Sequence, residues 1–168
     1  MSVAIFVEEK IVSFESSYNH LKNFNLEDKV KVFESSSATV KEASDVLGCS
    51  EDEIAKTLSF LVGDQPILIL VAGAQKIDNA KYKKEFGVKA QMISRENVED
   101  VIGHAVGGVC PFGIKESVNV YLDVSLKNYE IVYPACGSGN SAVKLTIPEL
   151  EKSSKYLKYV DVCKNIEQ

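Results

Sequence analysis

"GHAVGGVCPFG", residues 103–113, holds four of the chain's ten glycines and sets His104 six positions before Cys110. A cysteine with a histidine at hand could form a thiolate nucleophile and its base. No orienting carboxylate is visible in the sequence, however, and a small loop cysteine also serves as filler. The glycines offer a second chemistry, because backbone without side chains can bend through positive φ and bring N–H groups against a ligand. The pattern matches neither GxGxxG nor the phosphate-binding GxxxxGK[ST]. A second loop, "CGSGNSA" at 136–142, repeats the theme, and the two together hold six of the ten glycines. Two such loops, each beside a strand, could wall one pocket.

Lys56, in "IAKTLSFLV", is the only charged residue between Ile54 and Gly63. A lysine in an apolar strand either snorkels to water or points into a polar cavity, where burial tunes it. Its neighbour Thr57 should project from the opposite face, so both reach one cavity only through a twist or bulge. "QKIDNAKYKKEFGVK" carries Lys76, Lys81, Lys83, Lys84 and Lys89 against Asp78 and Glu85. Lys81 and Lys84 share a helical face there, either as a solvated surface or as phosphate contacts.

Charge and cysteine usage narrow the remaining classes. With 19 basic and 24 acidic residues the net charge is -5, so an anionic partner must be met by a local patch rather than by the whole surface. Cys49, Cys110, Cys136 and Cys163 form no CxxC, and only His20 and His104 could assist them, so neither a metal nor an organic cofactor is expected. His20 falls on a predicted helix and receives no role. The opening "MSVAIFVEEKIVSFE" breaks its apolar run with Glu8, Glu9 and Lys10, unlike a secretion signal, and no run approaches the roughly 18 apolar residues of a membrane span. The expected setting is the cytoplasm, with reduced thiols and no membrane contact.

The elements that must carry these residues alternate between helix and strand. "SFESSYNHLKNF" spaces Phe14, Tyr18, Leu21 and Phe24 along one helical face, and "KVKVFE" alternates as a strand. Thr39 with Glu42 forms a capping box for a helix ending at Gly48. An acidic turn at residues 51–53 leads into the Lys56 strand, and Gly63-Asp64-Gln65-Pro66 turns it into the apolar "ILILVAG". The lysine-rich helix, a short strand near "AQMI", a helix capped by Ser94 and stopped at Gly103, and strands "VNVYLD", "EIVYPA", "VKLT" and "YVDV" follow. A helix entered through Pro148 separates the last two. The expected fold is a single α/β domain with a mixed, curved, barrel-like sheet flanked by helices.

"SSATVKEASDVLG", "EIAKTLSFLV", "GHAVGGVCPFG", "VNVYLDVSL" and "ACGSGNSAVKL" occur in an order and spacing that resemble the YbaK/prolyl-tRNA-editing family. The resemblance runs from about Phe14 to Val162, leaving residues 1–12 as an extension and 13–168 as the YbaK-like domain. It implies a free-standing deacylase, similar to the editing domain inserted in bacterial prolyl-tRNA synthetases. Such a protein would hydrolyse a mischarged tRNA, foremost tRNA for proline carrying a small wrong amino acid such as cysteine or alanine. On that reading Lys56 matches the family's site lysine, and Gly107 to Pro111 matches its GxxxP loop. Lys56, Gly107 and Gly108 become the catalytic set, the glycines through their N–H groups. Thr57, Val109, Cys110, Pro111, Phe112, Gly137 and Ser138 become substrate contacts, while Lys81 and Lys84 are offered to tRNA. Asp123, in "YLD", is either functional or a structural cap. The resemblance further implies weak, salt-sensitive tRNA binding, helped by an aminoacyl-tRNA synthetase or elongation factor. A non-catalytic module binding an aminoacyl or nucleotide ligand, or a synthetase, is the rival. The second loop departs from the basic, Gly-Leu-type version common in members acting on cysteinyl-tRNA, which leaves the amino acid open.

Overall fold

The longest apolar run of the chain becomes its central strand. In the computed structural model, which describes residues 3–164, β2 (Ile54–Val62) and β3 (Gln65–Ala72) form an antiparallel hairpin registered continuously from Ala55↔Ala72 to Val62↔Gln65. Gly63 supplies the positive φ the connection needs. Successive β3 side chains enter opposite layers. Leu70 and Ala72 join a cluster with Val120, Leu122 and Phe112, whereas Ile67, Ile69 and Val71 pack with Phe60 and Tyr82. A strand covered on both faces has no solvent side, which is why its sequence is apolar without alternation.

Further strands extend this hairpin into a six-stranded mixed sheet ordered β7-β5-β2-β3-β4-β8. β4 (Asn119–Asp123) and β8 (Lys158–Val160) continue it in parallel beyond β3, and β5 (Ile131–Pro134) lies parallel to the start of β2. β7 (Leu145–Thr146) closes that edge antiparallel to β5. A separate ribbon pairs β1 (Val30–Val32) with β6 (Ser141–Val143). Helices α1 (Val3–Lys22) and α5 (Ile147–Ser154) cover the layer around Leu70 through Leu21 and Leu150, and α3 (Asn79–Phe86) covers the other through Tyr82. α2 (Val40–Leu47) and α4 (Val98–Ile102) complete the set. The fold is thus the mixed, curled α/β domain expected from the sequence.

Several local expectations meet their physical basis. The Thr39 hydroxyl accepts the Glu42 N–H at 3.1 Å, Gly48 ends α2 in the left-handed region, and Thr146 caps α5 ahead of Pro148 with its own capping box. Four others are corrected. α1 begins at Val3 and runs unbroken to Lys22, so residues 3–12 continue the helix placed at Phe14–Phe24. The segment "AQMI" makes one bridge, Phe60↔Met92, flanked by Leu61 N–H to Gln91 O and Ile93 N–H to Ser59 O, too little for a strand. α4 starts at Val98 with Asn97 at its N-cap, because Ser94 contributes its backbone carbonyl, turning residues 94–98, rather than a side-chain cap. "VKLT" is divided at Lys144, whose N–H donates to Lys29 O, so its halves pair with different strands.

Candidate active site

The β2 edge carries an opening that the strand order creates. β5 pairs with β2 only at Ile54 and Ala55, and the 91–93 segment takes up pairing again at Ser59. Beside that gap lies a cavity of about 200 Å³ whose wall includes Lys56, Thr57, Ser37, Gly107, Val109 and Tyr133. Ser141 and Ala142, at the end of the second small-residue loop, border it too. Lys56 and Thr57 both reach it without a bulge, since the register through them is unbroken. A cavity at an edge can touch side chains from both faces of a strand, which removes the objection raised by their alternation.

Lys56 is half-buried, and burial is the main cause holding its ammonium pKa below the usual lysine value. Its Nζ donates to the Gln75 carbonyl, just beyond β3. One of three ammonium donors is used there, leaving two. Thr57 Oγ1 is buried without a hydrogen-bond partner among the described residues.

The first glycine loop divides its work. Gly107 (φ +88°) borders the cavity, with the position of its absent Cβ 3.0 Å from Ala38 Cβ. Gly108 lies against the second loop: a Cβ there would sit 2.3 Å from Ser138 N and 2.4 Å from the Gly137 carbonyl carbon, closer than atoms approach. Its N–H donates to Ala105 O and its carbonyl accepts the Gly137 N–H, both at 3.0 Å. The donor assigned to Gly108 for an oxyanion is therefore occupied, whereas the Gly107 N–H has no acceptor among the described residues. Bare backbone at Gly108 serves loop-on-loop packing.

Other expected contacts lie elsewhere. Cys110 and Phe112 are fully buried in the core and do not line the cavity. Cys110 Sγ is 3.3 Å from Ser17 Oγ and 3.4 Å from His104 Nε2, beneath the loop and behind α1. Nε2 of His104 lies 2.6 Å from Phe112 O, an acceptor only, so that nitrogen carries the hydrogen; Nδ1 faces Ser13 Oγ at 3.0 Å. The imidazole thus staples the loop to α1. Cysteine and histidine meet as predicted by their spacing, but in the core and away from any ester. Pro111 borders a different cleft, beside His20 and Lys115. Gly137 packs against Ser13, and Ser138 lines a neighbouring cleft of about 660 Å³ that also includes Phe14, Val32, Val106 and Ala38.

His20 has a structural role that its helical position did not disclose. Its Nε2–H donates to Ser153 O at 2.6 Å while Nδ1 accepts the Gly113 N–H at 3.0 Å, joining α1, α5 and the end of the glycine loop. Burial foremost lowers its pKa. Asp123 is a structural cap: its buried carboxylate accepts N–H groups of Ser125 and Val162, each at 2.9 Å. Lys81 pairs with Asp161 at 3.1 Å, which weakens its candidacy as a phosphate contact, whereas Lys84 is exposed. Among the described residues no three His, Cys, Asp or Glu side chains converge as a metal site, and no helix is long and apolar enough to cross a membrane. Sequence reasoning missed Ser37, Ala38, Tyr133 and Ser141. The small polar run "SSSA" before the Thr39 cap was the available signal.

A family model described as an aminoacyl-tRNA editing domain matches residues 34–153. The chain belongs to that family. It is similar to YwhH of Bacillus subtilis (strain 168), an uncharacterized protein, with 50% identity over 157 residues, 93% of this chain and all of that one. It also resembles part of the proline–tRNA ligase of Shouchella clausii, 33% identical over 104 residues, 61% of this chain but 18% of the ligase. Among solved structures, one described as a candidate trans-editing enzyme for prolyl tRNA synthetase superimposes with a TM-score of 0.82 at 27% identity, covering 91% of this chain and 98% of that one.

Proposed function

We propose that this chain is a free-standing deacylase that hydrolyses the ester of mischarged tRNA, with tRNA for proline carrying a small wrong amino acid as its substrate. The observation that carries the reading is the cavity at the β2 edge, where Lys56, Thr57 and Gly107 converge in a member of the editing family. At about 200 Å³ it lies below the usual range for drug-sized ligands, roughly 300–1,000 Å³, and suits the aminoacyl group alone. The neighbouring cleft of about 660 Å³ shares Ala38 with it and is large enough for the terminal nucleoside.

An aminoacyl ester is already activated, so the reaction needs placement more than a protein nucleophile. Water, or a group on the substrate, attacks the carbonyl; the Gly107 N–H donates to the developing oxyanion, and the two remaining Lys56 donors pair with the terminal phosphate or the ester region. Cys110, buried behind the loop, takes no part. The test is hydrolysis of labelled cysteinyl-, alanyl-, seryl-, threonyl- and prolyl-tRNA for proline by wild type and Lys56→Ala. Loss of a mischarged species that spares prolyl-tRNA and depends on Lys56 is expected. Absence of hydrolysis above the enzyme-free rate would overturn the reading in favour of a binding module.

A further inference from the structure

Five buried side-chain polar atoms among the described residues lack a hydrogen-bond partner, and two of them, Ser37 Oγ and Thr57 Oγ1, belong to residues that line the same cavity. Ser37 is only 7% exposed. An orphaned buried hydroxyl costs about 1–3 kcal/mol, and folded proteins leave few of them. Nearby hydroxyls are engaged: Thr39 Oγ1 accepts the Glu42 N–H, and Ser141 Oγ lies 2.6 Å from Ser138 Oγ and 3.1 Å from Cys136 O. Much of the remaining wall is apolar and small, including Ala38, Ala43, Ala55, Val109, Ala135 and Ala142. The cavity holds about seven waters' worth of liquid volume, too little for a long or aromatic side chain.

We infer that Ser37 and Thr57 form a specificity pair for a side-chain hydroxyl, so that the chain removes serine or threonine from tRNA in preference to alanine. The inference rests on the deacylase reading and deepens it. A small apolar enclosure cannot strongly separate neighbours of similar size, whereas a site with unpaired polar groups rejects the analogue that leaves them unpaired. Alanine would bury both protein hydroxyls without a partner. A serine or threonine hydroxyl donates to one and accepts from the other. A cysteine thiol does either more weakly.

The experiment is single-turnover hydrolysis of seryl-, threonyl-, alanyl- and cysteinyl-tRNA for proline by wild type, Ser37→Ala and Thr57→Val, the last nearly isosteric. The wild type should favour seryl- or threonyl- over alanyl-tRNA by about 10- to 100-fold, and each variant should shrink that ratio by about tenfold or more. Faster hydrolysis of alanyl- or cysteinyl-tRNA would overturn the inference. So would an equal fall for all four substrates, because the hydroxyls would then serve a part common to all, the α-amino group or the ribose. Failure to hydrolyse any of them would sink the deacylase reading instead. Calorimetric binding of 3′-seryl- and 3′-alanyl-amido-adenosine, which cannot be hydrolysed, then decides the specificity: tighter seryl binding that weakens in Ser37→Ala supports it, and equal affinities reject it.

Discussion

At the scale of single residues, chemistry follows from how much of each group the fold leaves unpaired. Lys56 keeps two ammonium donors beyond its bond to Gln75, in a half-buried position where burial lowers its pKa. Lys56→Ala should reduce deacylation by about 10- to 100-fold, the range for losing a hydrogen bond to a charged group, while thermal unfolding remains within a few degrees of wild type. Full activity in a normally folded Lys56→Ala would remove the lysine from the mechanism. The cysteines make the complementary case. Cys110, Cys136 and Cys163 are buried, burial foremost raises the Cys163 thiol to about 12, and only Cys49 reaches the surface. Native alkylation at neutral pH should modify no thiol but Cys49 and leave deacylation intact; mass spectrometry finding Cys110 labelled with activity lost would revive the thiol-nucleophile mechanism.

Among the elements, the two glycine loops and α1 act as one assembly. Gly108→Ala puts a methyl into the Gly137–Ser138 backbone, so the loops must separate, at a cost of about 1–3 kcal/mol as for other overpacked sites. Chemical denaturation should register that loss, and an unchanged midpoint would mean the loops are not in contact. His20 couples the same loop to α1 and α5, and its sign can be worked out. A histidine whose folded pKa lies below its ordinary 6.5 adds stability above that pH and loses it as pH falls toward the folded value. Protonating Nδ1 also removes the acceptor for the Gly113 N–H. Between pH 7 and 5 the wild type should therefore lose more stability than His20→Gln, measured as the difference in unfolding free energy; parallel losses would refute the linkage.

For the whole molecule, the balance of charge governs how tRNA is met. At net -5, with Lys81 and Lys158 already paired to Asp161 and Glu85, few lysines remain to neutralise phosphates. Engaging two or three phosphates gives an affinity that falls about 10- to 40-fold between 50 and 200 mM salt. A flat dependence in filter binding would exclude phosphate contacts as the source of affinity.

Much of this protein could be read from its residues in order. Thr39 with Glu42, Gly48, the Gly63 turn and the unbroken run of β3 are local signals, set by backbone hydrogen bonds and side-chain periods within a few positions, and they predicted the hairpin and α2. The motifs at Lys56 and Gly107 were legible for the same reason. Which neighbours those residues acquire depends on contacts tens of positions apart. Cys110 and Phe112 sit in the same stretch as Gly107, yet they face α1, because a loop pinned by His104 turns alternate residues toward the core and the cavity. Lys144 divides one apparent strand between two partners, and Ser37, unremarkable in its run of serines, becomes an orphaned hydroxyl only when α2 packs beside β2. Burial and pairing are properties of the assembled chain, so order along the sequence decided the elements and packing decided the site.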